Sequence, residues 1–396
     1  MVGKTVPKMD EYRSLIWIWQ QPNWPHFVWQ ADALSTLLRE VTQLQGKLLG
    51  KTGAVAEHTN TETQLDTLLQ NIIQSSAIEG EILNAESVRS SLAKRLGVEQ
   101  AGLQPANAKT EGLADLMLDS TQNYALPLTQ QRLLQWHRYL FPKSKSKEDF
   151  SLSGDIRVGE LRGEDVMQVV SGPINKRKVH FEAPPREGLE KQLAEFLTWL
   201  KESELKKDAT DNTLDPLIRA GIAHLWFVTL HPFDDGNGRL ARAITDYALA
   251  QAEHQAIRFY AMSASIMEKR QGYYNILEST QKGDLDITAW LSWFLQTLKH
   301  ALESALTRMD WVLQKAKFWQ IHAQDGLNTE QIKVLNRLLD AGPTGFESGL
   351  NATKYQGIAN VSKATATRHL ADLLEKKCLI KLEGGGRSTR YNIHWP

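Results

Sequence analysis

Residues His231–Arg242 read His-Pro-Phe-Asp-Asp-Gly-Asn-Gly-Arg-Leu-Ala-Arg, and the fold is read outward from them. Upstream, Asp215-Pro216 joins an N-cap carboxylate to a proline at the first helical position. The run that follows to Leu230 is apolar almost all round, which predicts a central buried helix. Downstream, Leu240 to Ala252 is predicted as a second helix. The loop between them carries chemistry. Gly236 and Gly238 permit positive φ and close backbone approach. Successive N–H groups leading into a helix N-terminus make an anion site. Arg239 and Arg242 are three apart, so they share a helix face and can converge on phosphates. Asp235 is a hard oxygen ligand of the kind that holds Mg²⁺ beside phosphates. His231, at the rim, can take a proton from a hydroxyl. Each piece alone is ordinary. Packed within twelve positions they indicate phosphoryl or nucleotidyl transfer.

Composition bounds the rest. A chain of 396 residues is expected to form two to three domains. Hydrophobic residues are 42% and charged residues 23%, which disfavours the disordered and membrane classes. Lys plus Arg equals Asp plus Glu, at 46 each, so the chain is not coated with basic groups for nucleic acid. Segregation of charge between domains stays open. The single cysteine, Cys378, excludes an intramolecular disulfide and a cysteine-rich zinc site. Residues 1–13 carry charge without an apolar run, and the purest apolar stretch, Ile222 to Leu230, is too short to span a bilayer. A cytoplasmic protein with no membrane partner is expected.

The chain is expected to be mostly α. Leu15 to Trp29 holds four Trp and two Pro, a segment read as an aromatic cap on later helices, with a peptide-binding surface as the alternative. Leu65, Leu68, Leu69, Ile72 and Ile73 form one helical stripe that runs into Ser75-Ser76-Ala77-Ile78-Glu79-Gly80. Gly80 is a helix stop. Glu79 then falls in the last turn, where the macrodipole disfavours an anion, so it should have a cationic partner elsewhere. Lys143 to Asp149 reads as an exposed loop. The runs around Val169 and His180, separated by Ser171-Gly172-Pro173, read as a hairpin. From about Asn328 the pattern is helix, short helix, turn, helix and two strands around Gly384–Gly386, the order of a winged helix. Asn351 to Pro396 holds eight Lys/Arg against three Asp/Glu.

The loop motif resembles the signature of Fic-domain proteins, His-Pro-Phe-x-Asp/Glu-Gly-Asn-Gly-Arg-x-x-Arg, at every specified position. Residues 224–230, Trp136 to Phe141, Gly159 to Arg162, the hairpin and Ala183-Pro184-Pro185 are similar to the family's surrounding elements. The likeness covers roughly residues 110–300. It implies a helical Fic core with a β-hairpin flap, and transfer of AMP from ATP to a Tyr, Thr or Ser hydroxyl of a target protein and of the chain itself. In that reading His231 is the base and Asp235 holds Mg²⁺. Asp234, Gly236, Asn237, Gly238, Arg239 and Arg242 attend the ATP phosphates, with Asn237 on the α-phosphate and Arg242 on the γ-phosphate. Tyr274 and Gln281 align with nucleotide-binding positions, although the second is Asn in the relatives. Val169, Val170, Ser171 and Gly172 form the target-docking flap by strand addition. Ser75, Glu79 and Gly80 match the family's inhibitory motif, which implies that Glu79 pairs with Arg242 and bars productive ATP binding. Some relatives use this Glu in removing AMP.

The expected division is 1–108, a Trp-rich helical front with the inhibitory helix; 109–300, the Fic core; 301–327, a helical linker; and 328–396, the winged helix. The competing reading is a DNA-binding regulator with the Fic core as a nucleotide sensor. There Lys363, Thr365, Thr367 and Arg368 would face the major groove, with Arg387 and Arg390 on the wing. A homodimer is a further expectation.

Overall fold

The computed structural model describes residues 17–52, 57–98, 105–142, 156–173, 176–204, 214–255, 259–342, 345–383 and 389–395. The expected loop Lys143–Asp149, the glycines Gly384–Gly386 and Arg387 lie outside the described residues. The chain divides into two compact units, Met1–Ala305 and Leu306–Pro396.

In the first unit the centre is α7 (Pro216–Leu230), in which every residue after Pro216 is buried. Its start is as expected: Asp215 Oδ1 accepts from the amides of Leu217 and Ile218, a cap contributing about 1 kcal/mol. Around α7 pack α8 (Asn237–Glu253) and α6 (Leu189–Glu202), with α4 (Ala108–Gln122) against α8 and α5 (Gln130–Leu140) against α4. The second helix starts at Asn237 rather than Leu240, because Gly236 in the left-handed region (φ +82°) turns the chain directly into it.

The front of the chain is α1 (Ala31–Thr52), α2 (Glu57–Ile78) and α3 (Ala85–Leu96). Buried Asn71 on α2 donates to Asp246 Oδ2 on α8 at 2.7 Å and accepts the Ser263 amide at 3.1 Å. That pair fixes α2 against the core two turns before Glu79. The Trp-rich segment does pack as an aromatic cap. Trp24 and Phe27 meet Trp226 of α7 edge-on at 6.3 and 6.1 Å, and Trp19 Nε1 donates to the Glu182 carbonyl at 2.7 Å.

The hairpin is present as β1 (Gln168–Ser171) paired antiparallel with β2 (Lys178–Glu182). After it come α9 (Met262–Glu268), α10 (Arg270–Gln281) and the long α11 (Thr288–Ile321). The second unit contains α12 (Thr329–Leu339), α13 (Ala352–Ala359), α14 (Lys363–Glu375), β3 (Leu379–Lys381) and β4 (Tyr391–Ile393). Leu379 pairs with Ile393, and Leu350 adds a bridge to Tyr391. Val334, Leu338, Tyr355, Leu370 and Leu373 close a core of their own. This is the element order anticipated from the sequence. Helix α13 begins at Ala352 because Asn351 caps it, accepting the Lys354 amide at 2.8 Å.

Candidate functional site

The loop His231–Gly236 joins the C-terminus of α7 to the N-terminus of α8, and three contacts give it its shape, two of them from residues distant in sequence. His231 ends α7 in the left-handed region, at φ 49° and ψ 56°, a conformation disfavoured for a residue with a side chain. Buried Arg162 holds it there. Its Nε donates to the His231 carbonyl at 3.0 Å and its Nη2 to the Pro184 carbonyl at 2.5 Å, while its own amide donates to the Pro232 carbonyl at 2.9 Å. His137 on α5 stacks on Phe233 at 4.2 Å. It accepts the Gly159 amide on Nδ1 at 2.9 Å, so its Nε2–H donates to the Asp235 carbonyl at 3.2 Å. Burial pushes the His137 imidazole down to about 4, so it serves neutral. Arg162 and His137 had no individual role in the sequence reading; their signal is tertiary.

The third contact is local. Asn237 is 2% exposed, and its side chain closes the loop: Oδ1 accepts the Phe233 amide at 3.0 Å and Nδ2 donates to the Phe233 carbonyl at 2.8 Å. Its side chain thus shapes the loop, and its place as the first residue of α8 leaves its amide at the anion site. Asp234 is likewise not turned to the nest. Its carboxylate accepts the Arg157 amide at 3.0 Å and pairs with the Arg157 guanidinium at 3.1 Å, and an anion has no attraction for phosphate.

The nest itself is formed by the start of α8. Gly236 is its N-cap and provides no side-chain cap, so the first-turn amides face outward with the positive end of the macrodipole. Arg239 and Arg242 rise from the first two turns. Arg239 Nε and Arg242 Nη1 are buried with no hydrogen-bond partner among the described residues. Donors left so are what an incoming polyanion would satisfy. Asp235 is half exposed, with Oδ1 on the Gly236 amide at 2.6 Å and Oδ2 3.6 Å from Arg239 Nη2. An accessible carboxylate beside such a cradle fits Mg²⁺, which is held by one or two carboxylates together with phosphate oxygens.

His231 Nδ1 lies 3.2 Å from the Val228 carbonyl. Because a carbonyl only accepts, the proton sits on Nδ1 and Nε2 is the basic nitrogen. Burial, reinforced by Arg162, outweighs the neighbouring carboxylates and pushes the imidazole down to about 4. It is neutral at pH 7 and able to accept a proton.

Glu79, just beyond α2, finds its cation on α8. Arg242 Nη2 donates to Glu79 Oε1 at 2.8 Å. Burial alone would raise the Glu79 carboxyl, but Arg242, helped by Arg239 and Arg270, holds it below the usual carboxylate range. The carboxylate lies directly over the nest: a Cβ on Gly238 would come within 2.4 Å of Glu79 Oε1. Ser75 grips the same guanidinium, its Oγ accepting from Nε and its carbonyl from Nη2, both at 2.9 Å. Gly80, at φ +83°, turns the chain away. Tyr274 donates to the Ile78 carbonyl at 2.9 Å and so braces this turn. Gln281 is not brought to the group; it is buried and donates to Thr229 Oγ1 at 3.2 Å. A residue the sequence did not single out joins instead. Glu81 Oε2 accepts from Arg239 Nη1 at 3.0 Å, and Lys109 also pairs with Glu81. In the flap, Val169 and Val170 are each 39% exposed along a strand whose outer edge has no partner strand among the described residues.

A helical core that presents an anion nest, a neutral histidine and a carboxylate defines a class of protein. Residues 127–249 match the profile of the Fic/DOC family, and residues 17–98 match a domain of unknown function, DUF4172. The chain carries a domain of the Fic/DOC family. It is 34% identical over 123 residues to a uridine 5'-monophosphate transferase of Xanthomonas campestris pv. campestris, a match covering 31% of this chain and 21% of that protein. It is 26% identical over 222 residues to the protein adenylyltransferase Fic of Drosophila grimshawi, covering 56% of this chain and 39% of that one. The chain thus spans well under half the length of these relatives. A Fic family protein from Desulfovibrio desulfuricans shares the fold, with a TM-score of 0.51 at 17% identity over 93% of this chain and 97% of that one.

Proposed function

We propose that the chain is a protein adenylyltransferase held inactive by its own Glu79. The observation that carries this reading is the Glu79–Arg242 pair lying over the phosphate nest. An ATP γ-phosphate and the Glu79 carboxylate are both anions seeking the same guanidinium. While Glu79 holds it, the triphosphate cannot align its α-phosphorus with His231. Once Glu79 withdraws, Arg242 and Arg239 take the outer phosphates and the α8 amides the inner one. His231 Nε2 then takes the proton of a target hydroxyl as its oxygen attacks the α-phosphorus and pyrophosphate leaves. Mg²⁺, when bound at Asp235, would neutralise phosphate charge. The exposed edge of β1 suits an extended target segment.

The test is intact mass spectrometry of the Glu79→Gly protein with Mg-ATP or Mg-UTP. A gain of one AMP unit, absent in a Glu79→Gly/His231→Ala variant, is expected. Equal labelling of wild type and both variants would sink the reading, and a gain of one UMP unit would change the donor. A second reading is supported by α14, which exposes Lys363, Thr367 and Arg368: the C-terminal unit is a winged helix that binds DNA. A salt-dependent gel shift with the whole chain tests it.

A further inference from the structure

The flap carries a constellation whose side chains the nucleotidyl-transfer reading, which uses only the backbone edge of β1, leaves without a role. Ser171, the last residue of β1, is exposed. Its Oγ lies 2.6 Å from Nε2 of His180 on β2. The other ring nitrogen, His180 Nδ1, lies 2.6 Å from Glu278 Oε2 on α10. Serine, histidine and carboxylate therefore stand in line through opposite imidazole nitrogens, the arrangement that activates a hydroxyl.

The direction of the protons follows from the charges. Lys282 Nζ holds Glu278 Oε1 at 2.6 Å and Lys178 Nζ lies 3.5 Å from the same oxygen. Two cations keep the carboxylate ionised, and an ionised carboxylate only accepts. The neutral imidazole of His180 then carries its proton on Nδ1 and presents the Nε2 lone pair to Ser171. The hydroxyl proton is already directed at a base.

The backbone is shaped for this contact. Val169 pairs with Phe181 but Val170 with Val179, so His180 is the extra residue of a β-bulge. Bulges re-aim a side chain and gather at functional sites. Here the bulge serves a histidine that reaches Ser171 on one side and α10 on the other. Gly172 follows at φ +90° and turns the chain directly after the exposed Ser171.

We propose that Ser171 is a nucleophilic serine, a covalent modification site for activated phosphoryl and acyl esters, with His180 as its base and Glu278 as the residue that positions His180. With an alkyl fluorophosphonate as the probe, the Ser171 oxygen bonds to phosphorus, the P–F bond breaks and fluoride leaves. The hydroxyl proton passes to His180 Nε2, and Glu278 stabilises the imidazolium.

The experiment is fluorophosphonate labelling of the full chain, with the adduct located by peptide mapping. The adduct is expected on Ser171 in wild type and in His231→Ala, and absent in Ser171→Ala. His180→Gln keeps a polar link but accepts no proton, and should lower the inactivation rate constant about a hundredfold with the probe's half-saturating concentration unchanged. Glu278→Gln should lower the same constant, by less. Urea melts of the variants exclude misfolding as the cause. No adduct, an adduct elsewhere, or equal rates in wild type and His180→Gln in a folded protein would overturn the proposal.

Discussion

Glu79→Gln should make the protein less stable by itself and better at binding ATP. The substitution keeps the side chain's size and removes its charge, leaving Arg242, 2% exposed, without its counterion. Stripping a fully buried pair of one partner costs about 3–5 kcal/mol, whereas exposed pairs contribute about 0–1 kcal/mol. Glu79 is 33% exposed, and Arg242 keeps two bonds to Ser75. The value worked from these facts is about 2 kcal/mol. In a unit of this size that lowers the melting temperature by roughly 4 °C. The guanidinium released from Glu79 is then available to the γ-phosphate, so about 2 kcal/mol corresponds to roughly thirtyfold tighter ATP binding. Urea melts with and without ATP measure both effects. The variant should start lower and gain more from the nucleotide than wild type. If Glu79→Gln is as stable as wild type and binds ATP no more tightly, the carboxylate exerts no hold on the site.

Three other perturbations probe the same structure. Burial holds the imidazoles of His137, of His231 and of His224, which lies within α7 between the Thr245 and Tyr273 hydroxyls, down at about 4, 4 and 3; the unfolded chain takes up those protons first, below about pH 6.5. Stability should therefore be complete above that pH and fall toward pH 4, by up to about 1.4 kcal/mol per pH unit for each imidazole. Urea melts at pH 7.5 and 5 check this, and identical midpoints would contradict it. Gly238→Ala places a Cβ within 2.4 Å of Glu79 Oε1, so it should weaken the ion pair. Its stability loss should then shrink in a Glu79→Gln background, and simple additivity in a double-mutant cycle would argue otherwise. Arg162→Met removes the anchor of the His231 carbonyl. In a Glu79→Gly background it should slow transfer about a hundredfold with ATP affinity unchanged, and an unaltered single-turnover rate would refute that role.

The fold is legible in the sequence where its determinants are contiguous. Asp215-Pro216, the apolar run to Leu230 and the glycines around Asn237 carry their meaning locally, so α7, the loop and α8 were legible. Glu79 was legible through a misfit, an anion at the wrong end of a helix, and its partner on α8 satisfies it. The C-terminal helices and strands were legible from periodicity and turn residues. The rest depends on tertiary neighbours. The motif assigns Asp234 and Asn237 to the nucleotide; here the Asp234 side chain meets Arg157, and that of Asn237 closes on the backbone of Phe233. Gln281 aligned with a nucleotide-binding position but turns to Thr229. Glu81, 158 residues from Arg239, and His137, beneath the Asp235 carbonyl, emit no local pattern. Their roles arise only once α2, α5 and α8 are side by side.

On the proposed reading, in which Glu79 gates the site, the grip of Ser75 on Arg242 sets the tempo. The guanidinium is tied to the end of α2 by two bonds that do not involve Glu79. Opening on that reading asks for no displacement of a helix and no local unfolding, only a turn of one carboxylate about its own bonds. Side-chain rotation of that kind takes picoseconds to nanoseconds, whereas helix shifts take microseconds or longer. Such a latch responds as fast as its ligand arrives, and the delay between signal and reaction belongs to whatever holds Glu79 away.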